Sequence, residues 1–204
     1  MMLTDIKVVE LGQNLAGPYG TQILADLGAE VIKVERPTGD DARSWGTKVT
    51  DDTSTMYQTL NRNKKSITLD LKLDDDVNRM MALLTDADIF LHNLRPGTPA
   101  KMGLGAEQLR DRFPRLIYCD VGAFGHIGPL KDLPGYEPLM QAYGGLVSIN
   151  GHPEGPPARI AVSLIDLGTG MWSAIGALAA LHHRSKTGKG CIINTSLYET
   201  ALAW

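Results

Sequence analysis

Short apolar runs alternate with amphipathic segments along the first part of the chain. Residues 6–11, 29–35 and 66–71 are runs of the kind that form buried strands, and residues 21–27 have helical spacing. Gly28 follows that helical segment in the position of a C-terminal cap. A strand, a glycine-containing turn, a helix and a second strand within about 30 residues form a βαβ unit, which requires a parallel sheet.

The alternation continues to the C-terminal end of the sequence. Further helices are predicted at residues 74–84, 106–113, 137–143 and 170–183, and further strands at residues 88–92, 115–121 and 191–195. Residues 36–65 are polar, and the segment 36–43 has too little apolar content for a core element, which predicts a long surface loop. The predicted fold is therefore α/β: a doubly wound, Rossmann-like, mostly parallel sheet with helices on both faces and ligands beyond the carboxyl ends of its strands.

Composition excludes several classes of protein. A hydrophobic fraction of 43% and a charged fraction of 21% are ordinary for a globular protein, and the net charge of -3 argues against a nucleic-acid binder. We find no apolar segment of membrane-spanning length, so we expect no membrane contact. Cys119 and Cys191 have neither metal-like spacing nor a disulfide framework, which makes a reducing cytoplasm the simplest setting. The sequence stops inside a predicted helix, so we expect a piece of a longer polypeptide.

Three common site motifs are missing from the sequence. Glu35, at the end of the second strand, would suit a nicotinamide dinucleotide site, but no G-x-G-x-x-G fingerprint is present and Pro18 has no N–H to offer a pyrophosphate. There is neither a Walker A sequence nor a G-x-S-x-G nucleophile elbow. His182 and His183 are adjacent and point to different faces of a helix, so we expect no metal pair.

The stretch Ile-Asp-Leu-Gly-Thr-Gly around Asp166 opens the longest apolar segment of the chain. The unpaired N–H groups of a first helical turn attract negative charge, so we expect this aspartate to stay ionised. An ionised and partly desolvated carboxylate can accept a hydrogen bond or attack an acyl group. The alternative interpretation is that Asp166 is simply the N-cap of the helix.

Several polar and cationic side chains follow the predicted strands. They are Asn14, Arg36, Arg43, Asn93, Arg95 and Lys101. Arginine and lysine at the carboxyl ends of parallel strands could bind a phosphate-bearing ligand, because guanidinium forks match phosphate oxygens. The alternative is a solvated rim of charge.

A set of motifs, in order along the chain, carries a family resemblance. The motifs are Leu15-Ala16-Gly17-Pro18, residues 24–35, Gly39-Asp40 with Arg43, residues 63–66 with 69–72, residues 93–97, residues 101–105, residues 122–129, the segment around Asp166, and residues 186–190. The sequence resembles the family III CoA-transferases, the CaiB/BaiF group that includes formyl-CoA transferase, carnitine CoA-transferases and α-methylacyl-CoA racemase.

The resemblance implies an enzyme that moves coenzyme A from an acyl-CoA to a small carboxylic acid, with no metal. Asp166 would be the nucleophile, forming an aspartyl anhydride and then an aspartyl-CoA thioester. The residues implied to bind coenzyme A are Leu15, Ala16, Arg36, Leu69, Lys72, Asn93, Leu94, Arg95, Lys101 and Tyr136. The chain would be the N-terminal portion, residues 1–204, of a CoA-binding large domain that lacks its small domain. Family members form interlocked homodimers, so this portion alone would be inactive.

One departure from the racemases bears on the reaction. They carry a His-Asp pair where this sequence reads Tyr136-Glu137. Proton exchange next to a thioester needs a base on each face, and histidine is the natural base near neutral pH, so a transferase is favoured. Glu137 would then hydrogen-bond near Asp166 and orient it, or would be a surface helix residue. An acyl-CoA racemase and a non-catalytic CoA-binding subunit remain as alternatives.

Overall fold

The main sheet has six strands, all parallel. The structure, a computed structural model, describes residues 1–204. The strands are β1 (Lys7–Leu11), β2 (Glu30–Glu35), β3 (Lys48–Thr50), β4 (Thr53–Ser54), β5 (Lys64–Thr68), β6 (Ile89–His92), β7 (Ile117–Gly122) and β8 (Ile192–Ser196). The order across the main sheet is β5-β2-β1-β6-β7-β8, and β3 and β4 form a separate antiparallel hairpin. This order is that of a Rossmann-like sheet, so the predicted fold class is confirmed.

Helices cover both faces of the sheet. They are α1 (Ala16–Asp26), α2 (Thr55–Asn61), α3 (Asp74–Thr85), α4 (Thr98–Lys101), α5 (Ala106–Arg112), α6 (Glu137–Tyr143), α7 (Leu146–Ile149), α8 (Leu164–Thr187) and α9 (Leu197–Ala203). Successive strand residues point to opposite faces, so Val8 belongs to the core beneath α1 and α8, whereas Val9 belongs to the core beneath α3 and α5.

Two helices begin earlier than the sequence predicts. The α1 helix begins at Ala16 and not at residue 21, because Pro18 lies in the first turn, where the missing N–H costs no intrahelical hydrogen bond. The α8 helix begins at Leu164 and not at residue 170, so Asp166 is its third residue and Ser163 is its N-cap. Asp166 is therefore not the N-cap itself, although it lies close to it, in the first turn of the helix.

The polar stretch 36–65 contains more regular structure than predicted. A short 3-10 helix (Asp41–Ser44) is capped by the Asp40 side chain, which accepts a hydrogen bond from the Ala42 N–H, and α2 is capped by Ser54. The hairpin lies between these two helices. Side-chain caps and buried contacts stabilise these elements without the periodic apolar pattern on which the prediction relied.

The α8 helix is a core helix of the domain. By length and composition it is the one helix that could cross a membrane, with a mean hydropathy of 1.5. The sequence prediction considered only uninterrupted apolar segments, and α8 is interrupted by polar residues that include Asp166, Thr169 and Ser173. Ala174, Ala177 and Ala180 pack in the core that α8 shares with α1 and the sheet, which accounts for the apolar composition.

Candidate active site

The loops that follow β1 and β6 meet at the switch point of the sheet. These two strands are neighbours, and the chain leaves them toward opposite edges, the arrangement that opens a ligand crevice. The Gln13 N–H donates to Asn93 Oδ1 at 2.9 Å, and Asn93 Nδ2 donates to the Gln13 carbonyl oxygen at 2.8 Å. Both polar atoms of the Asn93 amide therefore hold the two loops together.

A cavity of about 250 Å³ lies beside this clamp. We call it the Asp166 cavity; its walls are the loops after β1, β6 and β7 and the segments that lead into α6 and α8. Its lining includes Gln13, Asn14, Leu15, Ala16, Trp45, Asn93, Leu94, Arg95, Tyr136, Glu137, Arg159, Ser163, Asp166 and Leu197. Two carboxylates and two guanidinium groups thus face one small space.

A second, larger cavity of about 490 Å³ adjoins the first. We call it the Arg36 cavity; it lies at the carboxyl ends of β1, β2 and β5. Its apolar lining is Leu11, Val34, Leu69, Leu71, Leu94 and Met102, and its cations are Arg36 and Lys72. Gln13 and Leu94 line both cavities, so the two spaces share a wall at the switch point.

The structure distributes the residues predicted for coenzyme A between these cavities. Leu15, Ala16, Asn93, Leu94, Arg95 and Tyr136 line the Asp166 cavity, and Arg36, Leu69, Lys72 and again Leu94 line the Arg36 cavity. Lys101 lines neither, because it is exposed at the end of α4, although Met102 next to it does line the Arg36 cavity. Asp166 and Glu137, predicted as the catalytic pair, both line the Asp166 cavity.

Asp166 is half-buried in the first turn of α8. Burial, followed by the negative charge of Glu137, raises the pKa of Asp166 to about 7. The start of the helix therefore does not hold the pKa of this aspartate at its ordinary value. Loss of solvation is the larger effect here, and a second carboxylate adds to it, whereas the influence of a helix terminus is modest.

Glu137 is buried in the first turn of α6, so it is not a surface helix residue. Its Oε1 accepts a hydrogen bond of 2.6 Å from Gln141 Nε2. The same amide of Gln141 also exchanges two hydrogen bonds with the backbone of Ile160, at 2.7 and 3.0 Å. The interaction of Glu137 with Asp166 is one of charge, and Gln141 fixes Glu137 to the segment that leads into α8.

Arg43 is not available to a ligand, contrary to its inclusion among the predicted phosphate-binding cations. Its guanidinium donates to both oxygens of Glu35 at 2.7 Å and lies over the ring of Tyr57 at 3.8 Å from the centroid. Burial alone would raise the pKa of Glu35, but hydrogen bonds from Arg43, Ser66 and Tyr57 lower it to about 2. The Glu35 carboxylate is thus engaged by these three side chains.

A fully buried charge cluster supports the loop between β1 and α1. Lys33 Nζ contacts Glu10 at 2.8 Å, Asp40 at 2.9 Å and the Gly12 carbonyl oxygen at 2.8 Å. Lys64 Nζ contacts the other oxygen of Glu10 at 2.8 Å. The charges Glu10, Lys33, Asp40 and Lys64 balance one another, and they hold the loop that carries Gln13.

Several residues of the Asp166 cavity were missed by the sequence analysis. They are Gln13, Trp45, Arg159 and Ser163. Arg159 had a detectable signal, because it is the one Lys or Arg residue between positions 132 and 183. The buried cluster also had a signal, since Glu10 and Lys33 each stand between apolar residues in the interior of their strands.

Comparisons with known proteins agree with this geometry. The sequence model described as CoA-transferase family III matches residues 3–204. The chain is 43% identical to the succinyl-CoA–D-citramalate CoA-transferase of Chloroflexus aurantiacus, over 98% of the chain and 50% of that protein. It is 41% identical to the human succinyl-CoA:glutarate CoA-transferase, over 98% of the chain and 46% of that protein.

A solved structure gives the same result. The crystal structure of a CaiB/BaiF family protein from Brucella suis superposes with a TM-score of 0.93 at 39% identity, covering 97% of this chain and 53% of that one. The chain thus spans about half the length of the curated relatives that it matches. The family match over nearly every residue, the sheet order and the paired cavities lead to one conclusion: the chain belongs to CoA-transferase family III.

Proposed function

We propose that the chain is the coenzyme A-binding part of an acyl-CoA:carboxylate CoA-transferase in which Asp166 carries the transferred groups. The observation that carries the proposal is the position of this half-buried carboxylate. It lines a small cavity that adjoins a larger, cation-bearing one. A nucleophile at one end of a two-part crevice suits a substrate that is bound by a long carrier and reacts at its tip.

Coenzyme A would occupy both cavities. Lys72 and Arg36 at the Arg36 cavity would bind its phosphates, with Arg36 exchanging its exposed ion pair with Asp41 for the ligand. The apolar wall that includes Leu69 would take the adenine ring. The pantetheine arm would pass the shared wall at Gln13 and Leu94 and place the sulfur near Asp166. Asn93 would contribute by fixing the loops, because its amide already hydrogen-bonds to the Gln13 backbone.

The proposed reaction conserves charge and needs no cofactor. A carboxylate oxygen of Asp166 attacks the thioester carbonyl carbon; the C–S bond breaks, and coenzyme A leaves as a thiolate while a mixed anhydride remains. The thiolate attacks the aspartyl carbonyl of that anhydride, releasing the donor acid and leaving an aspartyl-CoA thioester. The acceptor carboxylate then follows the same two steps in reverse. The bound carrier keeps the thiolate close to the anhydride throughout.

Glu137 would tune the nucleophile. Attack requires the ionised form of Asp166, and burial with the charge of Glu137 brings the pKa of Asp166 to about 7, so the carboxylate is more basic than an exposed aspartate. A more basic carboxylate is a stronger nucleophile, provided that the pH is high enough to ionise it. The lining of the Asp166 cavity includes no histidine, which gives no support to the racemase alternative.

The acids exchanged would be dicarboxylic. The names of two relatives specify citramalate and glutarate with succinyl-CoA, and all three acids carry two carboxyl groups. We also propose that residues 1–204 form the N-terminal portion of a CoA-binding large domain, that the full-length enzyme is an interlocked cytoplasmic homodimer, and that this portion alone is inactive.

Trapping of the covalent intermediates tests the proposal. Full-length protein is mixed with succinyl-CoA, reduced with borohydride and mapped by peptide mass spectrometry. We expect a reduced residue at position 166 in the wild type and none in Asp166→Asn, with Glu154→Gln, an exposed carboxylate, as the matched control. Transfer of coenzyme A without modification at position 166 would refute the mechanism. Exchange of the α-proton of an acyl-CoA without transfer would indicate a racemase, and tight binding of coenzyme A with neither signal would indicate a non-catalytic subunit.

A further inference from the structure

Arg159 is a cation of the Asp166 cavity with no anionic partner. The arginines that form ion pairs within the chain are Arg36, Arg43, Arg62, Arg79, Arg110 and Arg184. Arg159 is exposed and lines the cavity that contains Asp166 and Glu137. Its guanidinium can therefore take an anion from the cavity without giving up a partner within the chain.

The backbone on both sides of Arg159 is fixed. The Ala158 N–H donates to the Asn150 carbonyl oxygen at 3.2 Å, and Asn150 Nδ2 donates to the Ala158 carbonyl oxygen at 2.9 Å. On the other side, the Gln141 amide exchanges hydrogen bonds with both backbone groups of Ile160. A long side chain on an anchored backbone is suited to recognition, because less conformational freedom is lost when it binds.

The cations around the crevice occupy different positions. Arg36 and Lys72 line the Arg36 cavity only. Arg95 follows Leu94, one of the two residues that line both cavities, and so lies beside the proposed path of the carrier. Arg159 lies on the segment that leads into α8, outside the β1 and β6 loops. Of the two cavities, it lines only the Asp166 cavity. Position thus separates Arg159 from the cations suited to the phosphates of coenzyme A.

A dicarboxylic acid bound in the Asp166 cavity would need a cation for its second carboxylate. The Asp166 cavity already holds the carboxyl groups of Asp166 and Glu137, so a substrate that brings a further carboxylate meets charge repulsion. We propose that Arg159 binds the second carboxylate of a dicarboxylic substrate while the first reacts at Asp166, and that it sets the preference for diacids over monoacids. A guanidinium fork pairs with a carboxylate through two parallel hydrogen bonds. This assignment rests on the proposed transferase function.

A comparison of two acids of equal length tests the assignment. Full-length enzyme transfers coenzyme A from acetyl-CoA to glutarate or to pentanoate, and kcat and KM are measured for each acid. We expect the wild type to prefer glutarate. In Arg159→Gln, kcat/KM for glutarate falls by roughly 10- to 100-fold, mainly through KM, because a charge-assisted hydrogen bond is lost. The value for pentanoate changes by less than about threefold, since its chain end makes no charged contact. Arg159→Lys restores part of the glutarate activity.

The control variant is Arg112→Gln, which removes an exposed arginine that lines neither cavity. It leaves the rates with both acids unchanged. Equal losses for glutarate and pentanoate in Arg159→Gln, or a wild type without preference for the diacid, would overturn the role of Arg159 while the transferase function stands. A wild type that transfers to no acid from either acetyl-CoA or succinyl-CoA would instead refute the proposed function, and the role of Arg159 with it.

Discussion

Gly20 and Gly170 meet backbone to backbone where α1 packs on α8. A Cβ placed on Gly170 would lie 2.7 Å from the Ala16 carbonyl oxygen and 3.0 Å from the Gly20 nitrogen. Gly20 is four residues after Ala16 and Gly170 four after Asp166, which is about one helical turn in each case. The two glycines therefore set the separation of two cavity-lining residues that come from distant parts of the chain.

A methyl group at this contact should separate the helices. Because the atoms it meets belong to the backbone, Gly170→Ala should lower the free energy of unfolding by about 1–3 kcal/mol. It should also lower kcat in the protein that remains folded, since Ala16 moves relative to Asp166. Chemical denaturation and steady-state kinetics measure the two effects, and Met171→Ala, on the exposed side of α8, is the control. Unchanged stability and kinetics in Gly170→Ala would contradict the contact.

The pH dependence of the transferase should follow the pKa of Asp166, which is raised to about 7. In the proposed reaction the reactive form is the carboxylate, so kcat/KM should fall about tenfold per pH unit below that value and reach a plateau above it. Rate measurements across the range from about pH 5 to 9, with glutarate as acceptor, check the profile. An acidic limb centred near pH 4 would show that the carboxylate is not desolvated in the working enzyme.

The raised pKa of Asp166 also predicts how the free energy of unfolding depends on pH. The folded protein binds more protons than the unfolded chain between about pH 4 and 7, so the ionised Asp166 costs free energy of folding, and the cost is complete above pH 7. Asp166→Asn removes it and should stabilise the protein by about 1–2 kcal/mol at about pH 8, a value reduced to allow for partial exposure, and by much less near pH 4. Thermal unfolding at the two pH values measures the difference. A variant that is less stable than the wild type at pH 8 would exclude this cost.

Glu137→Gln should shift the acidic limb of the activity profile to lower pH. The variant removes the negative charge that adds to burial in raising the pKa of Asp166, while the glutamine still reaches Gln141. Since burial is the larger cause, the shift should be less than about one pH unit. Glu154→Gln, which removes an exposed carboxylate, should leave the limb in place. A shift to higher pH in Glu137→Gln would contradict the electrostatic role.

The two buried lysines should differ in their contribution to stability. Lys33 has two carboxylate partners, Glu10 and Asp40, so Lys33→Met should cost about 3–5 kcal/mol by leaving buried charge unpaired. Burial and the charge of Lys33 lower the pKa of Lys64 to about 8. If Lys64 is replaced, the Glu10 carboxylate still has its ion pair with Lys33. Lys64→Met should therefore cost less than about 2 kcal/mol. Urea denaturation of both variants tests the order, and equal losses would contradict it.

The fold class was predictable because local patterns specify it. When a helix connects two parallel apolar strands, only a few sheet topologies are possible. This alternation of strand and helix recurs along the main sheet from β1 to β8. The first residues of the helices were less predictable where the conformational preference of a residue disagrees with its place in the fold. Pro18 indicates a turn in isolation, yet it is accepted in the first turn of α1, and the glycines of α8 indicate a loop but serve close packing.

The charge state and the partners of the site residues were harder to predict, because they depend on contacts between residues that are distant in the sequence. Arg43 and Arg95 both follow strands in the sequence, but only Arg43 has a carboxylate partner, because Glu35 lies within reach in three dimensions. The raised pKa of Asp166 was not predicted, because it depends on burial in the folded chain and on Glu137, a residue of another helix. Arg159 was missed although it stands alone among the cations of its region, because its segment has no periodic pattern from which a place in the Asp166 cavity could be predicted.

Gln141 connects two parts of the wall of the Asp166 cavity through its hydrogen bonds. One amide group holds Glu137 and, at the same time, both backbone groups of Ile160, the residue that follows Arg159. A carboxylate bound by the guanidinium would therefore be coupled, through Gln141, to the charge of Glu137. Two acids that differ only at their far ends should consequently place the acidic limb of the rate at different pH values, and substrate selection and reactivity would evolve as a single trait.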